Sequence, residues 1–126
     1  MYGSQLQAYR NVQKTTVSSG RDIEASVLTQ AALKLQVCQS NWGEAGNDDK
    51  LDEAIQYNQK MWSIFQGELA KDENPLPKKL REDILSLSLF IDKRIFDIIT
   101  SPSPEKLTAI ININLSLAAG LRGSPA

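Results

Sequence analysis

A chain of 126 residues, 41% of them hydrophobic, is one domain's worth and can bury about two thirds of the surface its unfolded form exposes, so it needs no disulfide or metal staple. Its 14 Lys and Arg against 15 Asp and Glu leave a formal charge of -1, which argues against the basic footprint that neutralising a phosphate backbone demands. With no histidine and one cysteine, the chain lacks imidazole bases, Ser-His-Asp and Cys-His nucleophile pairs, the usual zinc and haem ligand sets, and any internal disulfide.

The amino end, MYGSQLQAYRNVQKTT, has no apolar signal core. Leu6, Tyr9 and Val12 give it a weak helical period, which predicts a short helix over Ser4 to Lys14. Such a helix is marginal by itself, so it docks on the rest or folds with a partner. Ser19 followed by Asp22 resembles a capping box and opens a second helix to about Gln39. Ile23, Val27, Ala31, Leu35 and Cys38 share one side of that helix, which makes Cys38 a packing residue rather than a reactive thiol.

The cluster NWGEAGNDD from Asn41 to Asp49 is a loop broken by Gly43 and Gly46, with Asp48 or Asp49 as the cap of a third helix ending near Lys71. On that helix Leu51, Ile55, Asn58, Trp62, Phe65 and Leu69 recur at spacings of four and three and form one seam. Asn58 is the polar member of this stripe: it fixes register inside the fold or grips a partner. Beside the seam lie Tyr57, Met61 and Ile64, a set that suits an adaptable helix-binding groove and equally suits a core.

The segment DENPLP, Asp72 to Pro77, forces a turn, because the residue before each proline avoids helical geometry and Pro77 is well placed at a first helical position. A fourth helix then runs to about Thr100. Leu80, Ile84, Leu87, Ile91, Ile95 and Ile98 make its core stripe, while Leu85, Leu89 and Phe96 project almost opposite. A helix apolar on two sides is central to its bundle or keeps a second surface for another polypeptide. In SPSP, Ser103 caps and Pro104 begins a fifth helix that ends near Gly120, a natural left-handed residue. Its stripe of Leu107, Ile110, Ile111, Leu117 and Ala118 contains Asn114, which either pairs with Asn58 across a helix contact or meets an incoming helix. Residues 1–3 and 122–126 are expected to be flexible ends of a single domain spanning 1–126.

The expected fold is therefore all-α, a small antiparallel bundle of about five helices, the first short. No run approaches the roughly 20 apolar residues of a membrane span, and a cytoplasmic location with no membrane partner follows as the simplest expectation. Asn47 to Asp52 does not supply an EF-hand's sixth-position glycine together with its terminal glutamate. Asn114-Leu115-Ser116 matches a glycosylation tripeptide but sits in an apolar helix. Carboxylate pairs such as Asp72 with Glu73 lie near helix ends, where solvation explains them. No catalytic residue, cofactor or metal is expected, and the chain reads as an interaction protein rather than an enzyme.

AYRNVQKTT near the start, LDEAIQYNQKMWSIF in the middle, then NPLPKKLREDI, FIDKRIFDI and PEKLTAIININLSLAAGLRG together resemble the flagellar biosynthesis regulator FlaF family over nearly the whole chain. The resemblance implies a flagellin-binding secretion chaperone and regulator of flagellin synthesis and filament assembly, acting beside the regulator FlbT. Its family-like positions are Tyr57, Asn58, Trp62 and Phe65, the turn Asn74 to Pro77, and Asn112, Asn114, Gly120 and Leu121. Partner-binding candidates from the helical faces are Tyr57, Asn58, Met61, Trp62, Ile64, Phe65, Leu85, Leu89, Phe96 and Asn114. Two further readings stand beside flagellin binding: a post-transcriptional regulator of flagellin mRNA, acting directly or through FlbT, and a module whose second apolar face forms a homo-oligomer.

Overall fold

Turn chemistry sets the starts of three helices in the computed structural model, which describes residues 16–123. The helices are α1 (Thr16–Ser40), α2 (Asn47–Leu69), α3 (Lys78–Thr100) and α4 (Leu107–Leu121), the last entered through a 3-10 turn over Pro104–Lys106. The all-α bundle is as expected, with four α-helices rather than five among the described residues; the short helix expected over Ser4 to Lys14 lies outside them. α1 already includes Thr16, three residues before Ser19, so the expected capping pair Ser19 and Asp22 sits inside it. α2 is capped by Gly46 in the left-handed region (φ 81°), a conformation open to glycine without a Cβ penalty. Asp48 and Asp49 instead occupy its first turn, where negative charge complements the helix dipole.

Pro77 occupies the N-cap of α3, one position earlier than expected. Ser103 is extended and Pro104 follows it into the 3-10 turn, as the SPSP pattern predicts, although the serine hydroxyl makes no capping bond. At the other end Gly120 remains within α4, and the left-handed glycine is Gly123 (φ 75°).

α1 is the hub. Gln39 Nε2 donates to Pro104 O (2.8 Å) and Thr108 Oγ1 (2.9 Å), while Arg122 Nη1 donates to Thr29 Oγ1 (3.3 Å). The last turn of α1 thus meets the start of α4 while the middle of α1 meets the end of α4, and the two run antiparallel. Ala25, Ala31 and Ala32 on α1 and Ala118 on α4 are buried; their small side chains allow the close approach of this pair. α2 lies antiparallel on α1, with Asn47 Nδ2 donating to Cys38 O (3.1 Å) at one end and Asn58 Nδ2 to Ala31 O (3.2 Å) farther along. α3 packs on α2 and only brushes α4.

Of the two readings of the fourth expected helix, as central or as carrying a second surface, the arrangement excludes the first, because that helix, α3, is peripheral. Ile84, Ile91, Ile95 and Ile98 are buried as its core stripe, whereas Leu80 and Leu87 at the stripe's margins are exposed. Ile23, expected beside Cys38 on the packed side of α1, also faces water. The stripe of α2 is closer to expectation: Leu51, Ile55, Asn58, Trp62 and Leu69 are buried and Phe65 is half-buried against them. The pairs Lys78–Glu82 (4.0 Å) and Lys79–Asp83 (2.9 Å) form on the solvated face of α3.

Candidate functional site

The proline-bounded turn between α2 and α3 builds one wall of an apolar groove. Asn74 Oδ1 accepts the Leu76 N–H (3.0 Å) and its Nδ2 donates to Glu68 O (3.1 Å), so one side chain both shapes the turn and ties it to the last turn of α2. From α3, Arg81 Nη1 donates to Lys71 O (2.9 Å) and Leu69 O (3.5 Å). A cation at this end of α2 satisfies carbonyls the helix leaves free and complements its dipole. With Pro75 and Pro77 fixing the backbone on either side, Leu76 is held half-buried at the edge of the bundle.

The groove encloses about 440 Å³. Ile64, Phe65 and Leu69 of α2, Pro75 and Leu76 of the turn, Ile84 of α3, and Leu117 and Leu121 of α4 line it, and Arg21, Glu24 and Glu68 supply its charge. Desolvation raises the pKa of the Glu24 carboxyl; Arg21 pulls it back down, and Glu68 pushes it up again. Glu68 in turn meets Lys71 Nζ at 3.0 Å.

Behind the groove lies a closed hydrogen-bond chain. Trp62 Nε1 donates to Asn114 Oδ1 (3.0 Å), Asn114 Nδ2 donates to Asn58 Oδ1 (2.8 Å), and Asn58 Nδ2 donates to Ala54 O (2.8 Å) and Ala31 O (3.2 Å). All three side chains are fully buried. The chain links α1, α2 and α4, and in a low-dielectric interior each bond is valuable chiefly because leaving it unmade is expensive. Trp62 also stands edge-on to Phe65, ring centroids 5.9 Å apart at 85°. The network therefore fixes the rotamer of Trp62, and Trp62 supports the aromatic ring that lines the groove.

These positions sort the ten candidate residues. Asn58, Met61, Trp62 and Asn114 are interior, which corrects their placement on a partner surface: no incoming helix reaches them while the bundle is closed. The alternative reading of the asparagines, that each satisfies the other, is the one the geometry realises. Ile64 (56% exposed) and Phe65 line the groove. Tyr57 is half-buried with Lys34 Nζ 5.1 Å from its ring centroid. Leu85 is half-buried against the core, while Leu89 (62% exposed) and Phe96 (72% exposed) stand in water on the outer side of α3. The ten residues thus do not form one surface.

Helix-by-helix periodicity assigns Leu69, Ile84 and Leu117 to core stripes and marks neither Leu76 nor Leu121, so it does not identify these five as groove residues, because the groove is made where four elements meet. The available signal was Leu76 itself, an apolar side chain set between two prolines in a turn that is otherwise polar.

Cys38 is buried, and burial raises its thiol pKa, with Lys50 lowering it and Glu53 raising it. A neutral, shielded thiol is a poor nucleophile. Ellman's reagent at neutral pH is therefore expected to react with the native protein at least about a hundredfold more slowly than with the urea-unfolded chain; equal rates would place the sulfur at the surface.

Among the described residues no helix is long and apolar enough to cross a membrane. A family model described as flagellar protein FlaF matches residues 5–121. The chain belongs to the FlaF family. No curated protein and no solved structure matches it significantly. Against the FlaF-like positions, the structure separates two groups. Asn58, Trp62 and Asn114 hold the bundle together from inside, whereas Phe65, Asn74, Pro75, Leu76 and Leu121 surround the groove.

Proposed function

We propose that this FlaF-family protein is a cytoplasmic flagellin-binding chaperone that also tunes flagellin synthesis, and that it holds an amphipathic helix of flagellin in the groove between Ile64 and Leu121. The observation that carries this reading is an open apolar trough of about 440 Å³ with a charged rim, framed by four elements. Helix-in-groove recognition needs that form: an apolar floor for side chains at i, i+3, i+4 and i+7, and polar edges that set orientation. Covering an apolar helix face also keeps a filament subunit from assembling too early. FlbT fits as a second partner through which synthesis is tuned, since the balanced charge offers no direct hold on messenger RNA.

The test is titration of purified flagellin terminal-helix peptides into the protein, with the groove variant Ile64→Asp compared with the outer-face variant Leu89→Asp. Ile64 is exposed, so its replacement leaves the fold intact while placing a carboxylate in the trough. Losing one buried aliphatic anchor and desolvating a charge is expected to weaken binding about a hundredfold or more, with Leu89→Asp unchanged. Full-strength binding by Ile64→Asp sinks the groove as the client site.

The exposed side chains Leu89, Phe96 and Ile99 favour a second reading, self-association along the outer side of α3. Light scattering across concentration separates the two, because a dimer of that kind dissociates in Phe96→Asp and is indifferent to Ile64→Asp.

A further inference from the structure

Both the position and the charge of the groove single out one occupant within the chain itself. Arg21 and Glu24 of α1 form part of its lining. The described helix starts at Thr16, five residues before Arg21, a distance of about 7.5 Å along a helix. Fifteen residues precede it, a length of about 22 Å if helical and up to about 50 Å if extended. That is ample to reverse direction and lie along a trough that begins at the same end of α1.

The chemistry also matches. Residues 1–15 contain Arg10 and Lys14 and no Asp or Glu, while the groove is lined by the carboxylates Glu24 and Glu68 and by Arg21, with Lys71 already paired to Glu68. Desolvation raises the pKa of Glu24, Arg21 lowers it and Glu68 raises it again, so a cation arriving beside Glu24 would favour its ionised form. Leu6, Tyr9 and Val12 supply apolar side chains at spacings of three. The family match begins at residue 5, so the greater part of this segment lies within the matched range.

We infer that residues 1–15 dock in the groove lined by Ile64, Leu76, Leu117 and Leu121, with Leu6, Tyr9 and Val12 on its floor and Arg10 or Lys14 against Glu24. The segment is a tethered competitor: a client helix must displace it. This second step rests on the client-binding role proposed above, whereas the docking itself does not. A short tether gives an effective concentration in the millimolar range. Even weak self-docking then lowers the client's apparent affinity in proportion to the occupied fraction.

The test uses the full chain. A spin label is placed at Asn11→Cys, on the side away from Leu6 and Tyr9, in a Cys38→Ala background, and paramagnetic broadening of the methyl resonances is recorded. Leu76, Leu117 and Leu121 are expected to lose most of their intensity, and Leu6→Asp with Tyr9→Asp to restore it. Equal intensities with and without the two aspartates overturn the docking. So does broadening that appears only between labelled and unlabelled molecules in a mixture, which assigns the groove to a second copy. In the unlabelled protein, Leu6→Asp with Tyr9→Asp is expected to tighten client-peptide binding about tenfold; unchanged affinity overturns the competition. If the methyls broaden and neither protein binds the peptide, the docking stands and the client role falls.

Discussion

Replacing Asn114 by leucine is expected to cost about 3 kcal/mol, and replacing Asn58 as well is expected to return part of that cost. Asn114 accepts from Trp62 Nε1 and donates to Asn58 Oδ1. Leucine at 114 therefore leaves a buried indole N–H and a buried amide oxygen without partners. Asn58→Leu alone strands only the Asn114 amide N–H, because the carbonyls of Ala54 and Ala31 keep their helical bonds, and it should cost about 2 kcal/mol. In the double variant the only orphan is the indole N–H, again about 2 kcal/mol. The double variant should thus be more stable than Asn114→Leu, and the energies should fall short of additivity by about 3 kcal/mol. Urea titration of the four proteins measures this directly. Additive losses would mean that the two amides act independently, contrary to a closed chain.

The same network marks how far sequence reasoning reaches. A polar residue in the middle of an apolar helical stripe is visible without coordinates, and so is the choice it poses between partner and register. Periodicity places Asn58 and Asn114 on the packed sides of their helices, and both are buried. What it cannot supply is which helices oppose one another. That pairing depends on α1, whose small side chains make it the hub although its apolar pattern is no stronger than that of its neighbours.

Boundaries follow a similar division. The proline signal at Pro77 places the start of α3 to within a residue, and that at Pro104 marks the 3-10 turn three residues ahead of α4. The capping residues expected at Ser19, Asp48 and Asp49 were displaced by a longer α1 and by the left-handed Gly46. The groove was legible only in part. Ile64 follows from the flank of α2 and Phe65 from its seam, while Leu76 enters only through the family resemblance. Leu117 and Leu121 belong to the site only because α4 closes antiparallel on α1, a long-range event with no local signature. Of the expected second apolar face, Leu89 and Phe96 are exposed and Leu85 packs against the core; the exposed pair is separate from the groove because α3 crosses to the edge of the bundle and is not enclosed by it.

That peripheral position makes α3 the element whose two faces should respond most differently to substitution. Ile91 is fully buried, and Ile91→Ala is expected to cost about 3–4 kcal/mol through lost apolar burial and the cavity left behind. Leu89→Asp and Phe96→Asp, on the opposite side, should change stability by no more than about 0.5 kcal/mol, because their side chains already stand in water. Few polar ties support the isoleucine stripe: Gln66 Nε2 donates to Asp92 Oδ2 (3.1 Å), Arg81 reaches the end of α2, and Lys106 Nζ meets Asp97 Oδ1 at 3.2 Å. Such exposed contacts contribute little each. Loss of Ile91 should therefore release α3 before the α1–α4 pair opens, and hydrogen exchange should show its amides exchanging through a lower-energy opening than those of α1. A uniform loss of protection across all four helices would mean that α3 is integral to one cooperative core. A large penalty for Leu89→Asp would mean that its outer face is covered in solution. Because Ile84 of the same helix lines the groove, release of α3 removes one wall of the proposed binding site, and client affinity should fall in Ile91→Ala in step with its stability.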